Sequence, residues 1–184
     1  MKIRLIASAA VAAALALSMS GAEAATPTMD GKKVKALTMV GKGGLQTNDK
    51  DLVIDNPDRV GCTGARCGKL KFIYKPAKGV RGGLMLTSTW TNPLSDIDLY
   101  LARVEKNGTL TDVAHCGGSA GTKEKVYVAP ALLSSGRTYV MVADYYRSIN
   151  DTVTSKVEIN VPTTIKQTMP SAADGPTYFN CTLT

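Results

Sequence analysis

The stretch His115-Cys116-Gly117-Gly118-Ser119-Ala120-Gly121 gathers the residue types that nucleophilic chemistry uses. Gly117–Gly121 matches G-x-S-x-G, the turn that exposes a serine nucleophile. That turn needs a strand before it, a helix after it and a later histidine. Here a strand-like run and then Pro130 follow the serine, and the single histidine, His115, precedes it. A triad in the order Asp112, His115, Ser119 would have to converge around a substrate from one hairpin. The segment is therefore read as a Gly/Ser loop between strands. His115 and Cys116 are neighbours on a predicted strand and point to opposite faces, which keeps the imidazole from the thiol it would activate.

Asp96 and Asp98 are the next candidates. On one strand they share a face, about 7 Å apart by strand rise. Carboxylate pairs at such distances serve as general acid and base in sugar hydrolysis, but that chemistry also wants a cleft with aromatic platforms. Calcium is the other use of such a pair. It takes roughly six to eight oxygens, and Asn92 and Ser95 stand close enough in sequence to add to Asp96 and Asp98. Calcium is thus the one cofactor the sequence suggests. The aromatics Trp90, Tyr100, Tyr145 and Tyr146 are the candidate contacts for a bound partner, with core packing as the competing role.

The chain opens with Lys2 and Arg4, an apolar run from Leu5 to Leu17, and Ala22-Glu23-Ala24. That is the order of a cleavable secretory leader. The run is about 13 residues, short of the ~18–20 that span a bilayer. Export predicts a secreted, extracellular protein of about 160 residues, a comfortable size for one domain. In that setting Cys62, Cys67, Cys116 and Cys181 read as disulfides. Of the three pairings, the favoured one closes the short loop Cys62–Cys67 and ties the C-terminus down through Cys116–Cys181. Zinc fails on spacing, because no second close Cys or His pair exists.

The elements that must position these residues are strands. Alternating or apolar runs recur at Val34–Val40, Lys69–Lys75, Leu84–Thr91, Ile97–Val104, Leu110–Cys116, Lys125–Ala129, Thr138–Tyr146 and Thr152–Val161, with Gly, Pro and Asn between them. Such spacing marks an antiparallel β-sandwich or barrel with one wet face per sheet. No stretch reads as a long amphipathic helix.

The order of motifs across residues 82–161 resembles the bacterial pre-peptidase C-terminal (PPC) domain. The residues that carry the resemblance are DIDLYL (Asp96–Leu101), EKVYV (Glu124–Val128) and SGRTYVMVADYY (Ser135–Tyr146), followed by TSKVEINV. The resemblance implies an all-β, jelly-roll-like antiparallel β-sandwich that is itself non-catalytic and in some cases binds insoluble polymers. The domain layout it suggests is a leader (1–24), N-terminal strands and a disulfide loop (25–81), a PPC-like core (82–161) and a C-terminal extension (162–184).

A net charge of +7 is compatible with an anionic partner. The first cation group, Lys32, Lys33, Lys35, Lys42 and Lys50, has no interleaved aromatics, which argues against nucleic acid. The expected function is a secreted binding or structural module for an extracellular polysaccharide, a cell-wall polymer or an exported protein, with no membrane span in the mature form. Two alternatives stand beside it: a small secreted hydrolase, and a ligand or inhibitor of an exported peptidase that presents the Cys62–Cys67 loop.

Overall fold

The computed structural model describes residues 25–43, 66–116 and 121–160, with His115, Cys116 and Asn160 as backbone only. The leader, Cys62, Cys181, Ser119 and the 162–184 extension lie outside these residues. Nine strands are described: β1 (Thr28–Met29), β2 (Ala36–Lys42), β3 (Cys67–Tyr74), β4 (Gly83–Thr89), β5 (Asp96–Val104), β6 (Leu110–Cys116), β7 (Lys123–Val128), β8 (Arg137–Arg147) and β9 (Thr152–Asn160). A 3-10 turn covers Pro130–Leu132.

The strands form a five-stranded sheet in the order β1-β3-β8-β5-β6 and a four-stranded sheet in the order β2-β9-β4-β7. Pairing is nested: β2 with β9, β3 with β8, β4 with β7 and β5 with β6, all antiparallel. A long hairpin of these four strand pairs, rolled so that alternate pairs fall in opposite sheets, gives this order, which is the jelly-roll sandwich.

β8 lies at the centre of the five-stranded sheet, and its sequence RTYVMVADYYR explains why. Apolar residues occupy both faces of the strand, so it is stable only where both faces are covered. Tyr139, Met141, Ala143 and Tyr145 enter the main core between the sheets with Phe72, Leu84, Leu86, Ile97, Leu99, Leu101, Val126, Val128 and Val157. The Tyr139 ring stacks with Phe72 at 6.2 Å and meets Tyr74 edge-on at 6.3 Å. On the opposite face, Val140 and Val142 join Tyr100 and Ala102 in a second, smaller buried cluster. The expectation of one wet face per sheet therefore fails at the centre of this sheet, because apolar side chains from β5 and β8 meet there.

Each run read from the sequence holds a strand; β6 has the ends read for it, and the other strands are shifted at one or both ends. β2 begins at Ala36 rather than Val34 because the Asp30 carboxylate accepts the backbone N–H groups of Lys32, Lys33 and Val34, at 2.9, 2.7 and 2.9 Å, and holds them in a turn. β1 was not expected. At two residues it is too short to alternate, and it pairs parallel to β3, the one parallel contact in the molecule's described sheets. The Asn107-Gly108 turn between β5 and β6 is present. Gly108 takes a positive φ of 85° and Asn107 Oδ1 accepts from Thr109 N–H at 3.1 Å.

Candidate functional site

The strand registers bring the polar candidates to one end of the sandwich, where β2, β4, β6 and β8 finish and β3, β5, β7 and β9 begin. Asp151, in the β8–β9 loop, is the hub of this end. It is 4% exposed and accepts from Thr91 Oγ1 at 2.8 Å, from Asn92 N–H at 2.8 Å and from Thr91 N–H at 3.3 Å. These bonds lock the β8–β9 loop to the β4–β5 loop. Burial alone would raise the Asp151 carboxyl. The hydrogen bonds from Asn92, Thr91 and Thr152 together outweigh it and hold the group below the ordinary aspartate value of 3.8. Further links follow the same path: Trp90 Nε1 donates to Ser95 O at 3.2 Å, Ile149 N–H to Ser95 Oγ at 3.3 Å, and Gly43 N–H to Asp151 O at 3.0 Å.

Asp96 and Asp98 open β5 beside this hub, and Glu124 reaches them from β7 in the other sheet. Carboxylate oxygens of the three lie within 4.8 Å of one another. Glu124 is 1% exposed; its strand alternates Glu124, Val126 and Val128 into the core, and Ser88 sits opposite it in the β4–β7 register. Ser88 Oγ and Ser155 Oγ, 2.6 Å apart, complete a buried polar layer on that face. Burial raises the Asp96 carboxyl above 3.8, and the attraction of Arg147, its register partner, only partly opposes this. Tyr100 Oη donates to Asp98 Oδ2 at 3.4 Å.

Three ionised carboxylates this close repel by roughly 3–4 kcal/mol per pair at an effective dielectric of about 20. The arrangement therefore favours either a proton, for which Asp96 is the group already shifted in that direction, or a cation. Carboxylate oxygens are the donor set that a hard cation such as calcium prefers. Asn92 and Ser95, which the sequence offered as further calcium oxygens, instead serve the loops: Asn92 Oδ1 accepts from Leu94 N–H at 2.9 Å and Ser95 Oγ from Ile149. Glu124 was not singled out as a candidate. Its signal was a charged residue on the apolar face of an alternating strand.

The aromatic candidates require a correction. Trp90, Tyr100 and Tyr145 are 5%, 3% and 2% exposed, so they are core residues and present no binding face. Tyr145 is buried because Gly41 and Gly68 leave room for its hydroxyl; a Cβ at Gly41 would collide with it. Tyr146 alone is half-exposed. Of the catalytic candidates, Asp112 and the backbone of His115 lie three positions apart on β6, with His115 opposite Tyr100. Cys67 is disulfide-bonded, and its partner sulfur lies outside the described residues.

No family model matches the chain, and no curated protein matches it. Among solved structures, the crystal structure of Yersinia pseudotuberculosis-derived mitogen (YPM) is similar with a TM-score of 0.38 and 13% identity, over 71% of this chain and 91% of that one. A likeness at that score carries no argument about this chain. Among the described residues no helix is long and apolar enough to cross a membrane. The molecule is an all-β jelly-roll sandwich whose loop end joins a hydrogen-bonded aspartate hub to a three-carboxylate cluster.

Proposed function

We propose that this protein is an exported, non-catalytic β-sandwich module that binds, or gives structure to, an extracellular polysaccharide, a cell-wall polymer or another exported protein. In this reading it is a domain of the pre-peptidase C-terminal type, with calcium held by Asp96, Asp98 and Glu124. The observation that carries the reading is the use made of polar groups at the loop end. Asp151 accepts from Thr91 and Asn92, Asn92 from Leu94 N–H and Ser95 from Ile149 N–H, so these polar groups are spent on locking two loops together, which suits a rigid presenting surface rather than a substrate cleft. The leader pattern and the even cysteine count support the exported setting.

The test is retention of the purified protein on insoluble glycans, cell walls and immobilised secreted proteins, with and without calcium. Saturable retention on one of these classes is the expected result. Hydrolysis of any of them that His115→Ala or Ser119→Ala abolishes would overturn the non-catalytic reading.

A further inference from the structure

Four strand edges border the two sheets, and three carry devices that discourage pairing with another chain. β1 is two residues long. β6 has a register shift in its ladder with β5 and carries the exposed Asp112. β7 has lysines at positions 123 and 125 facing away from the core. β2 has none of these. It runs seven residues, ALTMVGK, in unbroken one-to-one register with β9, contains no proline, and keeps its single charge, Lys42, for the last position. Its Val40 is 68% exposed, the highest value among the exposed large hydrophobics.

The hydrogen-bond phase of this edge is fixed. Ile159 N–H donates to Lys35 O and Gly43 N–H donates to Asp151 O, so the odd-numbered residues of β2 bond to β9. Antiparallel ladders alternate. Ala36, Thr38, Val40 and Lys42 therefore turn their N–H and C=O groups away from the sheet, where nothing among the described residues pairs with them.

We propose that β2 pairs with β2 of a second copy of this chain, antiparallel about a two-fold axis at Met39. The inference is independent of the binding reading above. In this register Ala36 faces Lys42 of the second copy and Thr38 faces its Val40, so every outward N–H and C=O on both edges finds a partner. No like charges are opposed. The side chains of Thr38, Val40 and Lys42 lie on the outer face with Lys156 and Glu158 of β9. Across the new edge, Lys42 of the second copy lies two strand spacings, about 10 Å, from Glu158. Glu158 already holds Lys156 in an ion pair, and the small Ala36 leaves room for the incoming lysine to join that pair from the second copy. The result is a continuous eight-stranded sheet, a symmetric arrangement that closes on itself.

The experiment is sedimentation equilibrium of the purified protein from micromolar to millimolar concentration, for the parent, Thr38→Pro and Val40→Lys, with melting temperature as the folding control. Thr38→Pro removes an outward N–H; Val40→Lys changes an exposed side chain and sets a lysine near Lys156. The expected result is a parent dimer that both variants lose while melting as single folded species. Should Thr38→Pro fail to fold, Val40→Lys decides. In the dimer the amides of Thr38 and Val40 exchange with solvent more slowly than in Val40→Lys. A parent that is monomeric throughout, or a dimer that both variants retain, overturns the proposal. So does a monomeric parent that takes up an extended foreign peptide along β2, because the edge then serves another partner.

Discussion

Replacing Asp151 with alanine tests whether the loop end is a rigid unit. The side chain is buried and receives the Thr91 hydroxyl and the Asn92 amide at 2.8 Å, with the Thr91 amide at 3.3 Å. Hydrogen bonds to a charged group contribute about 1.5–3 kcal/mol each, and donors left without an acceptor add a desolvation cost. Because one carboxylate serves all of them, the bonds are not additive; two strong ones give an expected loss of about 3–4 kcal/mol. For a chain of this size each kcal/mol moves the melting temperature by about 2–4 °C, so Asp151→Ala should melt roughly 6–16 °C below the parent at pH 7. Asp151→Asn keeps an acceptor oxygen without the charge and should lose about half as much. The pH dependence has a definite sign. The folded carboxyl lies below 3.8, so its contribution is fully present above that value and is lost as pH falls through the lowered folded value. The parent–variant gap should therefore shrink on acidification. Calorimetry across pH measures both. An Asp151→Ala melt within about 2 °C of the parent at pH 7 would refute the reasoning, since fewer than about 1 kcal/mol would then rest on the hub.

Calcium at Asp96, Asp98 and Glu124 should raise the melting temperature of the parent, and Glu124→Gln should cancel the rise; equal calcium shifts in both proteins would remove the cation from this cluster. Without added cation, stability contributed by protonated Asp96 is present below 3.8 and falls as pH rises through its raised folded value; an Asp96→Asn variant should lack that decline. Reduction should lower the melting temperature by several degrees, because removing a native disulfide typically costs about 2–5 kcal/mol, and an unchanged melt would show that the bridge at Cys67 contributes little. Gly83→Ala should destabilise strongly, since its new Cβ would lie against the backbone carbonyl of Val128 across the β4–β7 pair; a melt equal to the parent would contradict the closeness of that pairing.

The sandwich was legible because alternation is a local property. Leu70, Phe72 and Tyr74, or Ile97, Leu99 and Leu101, announce a buried face within a few residues, and the structure places them in the core, with Leu70 packed at its margin. The site was less legible because it depends on which strands become neighbours. Asp96 and Asp98 advertise each other along one strand. Glu124 joins them only because the nested pairing lays β7 near β5 across the two sheets, a relation no short window contains. The same limit explains the aromatics. Trp90 and Tyr145 look like contact residues in sequence, and only the glycines facing Tyr145 and the carbonyl of Ser95 above Trp90 show that both are enclosed. Tyr100 sits at a position that alternation assigns to the wet face, and it is buried because β8 brings Val140 and Val142 beside it.

The nested pairing also orders events in time. β5 and β6 are joined by a short turn and can close as soon as both are made, whereas β2 meets β9 only after more than a hundred further residues. β9 is moreover an inner strand, the one that separates β2 from β4. Until it is synthesised, β2 is cut off from β4 and β7 and waits with both edges open. A chain built this way stays incompletely folded until β9 is available, and any truncation before Thr152 removes the seam rather than the hem.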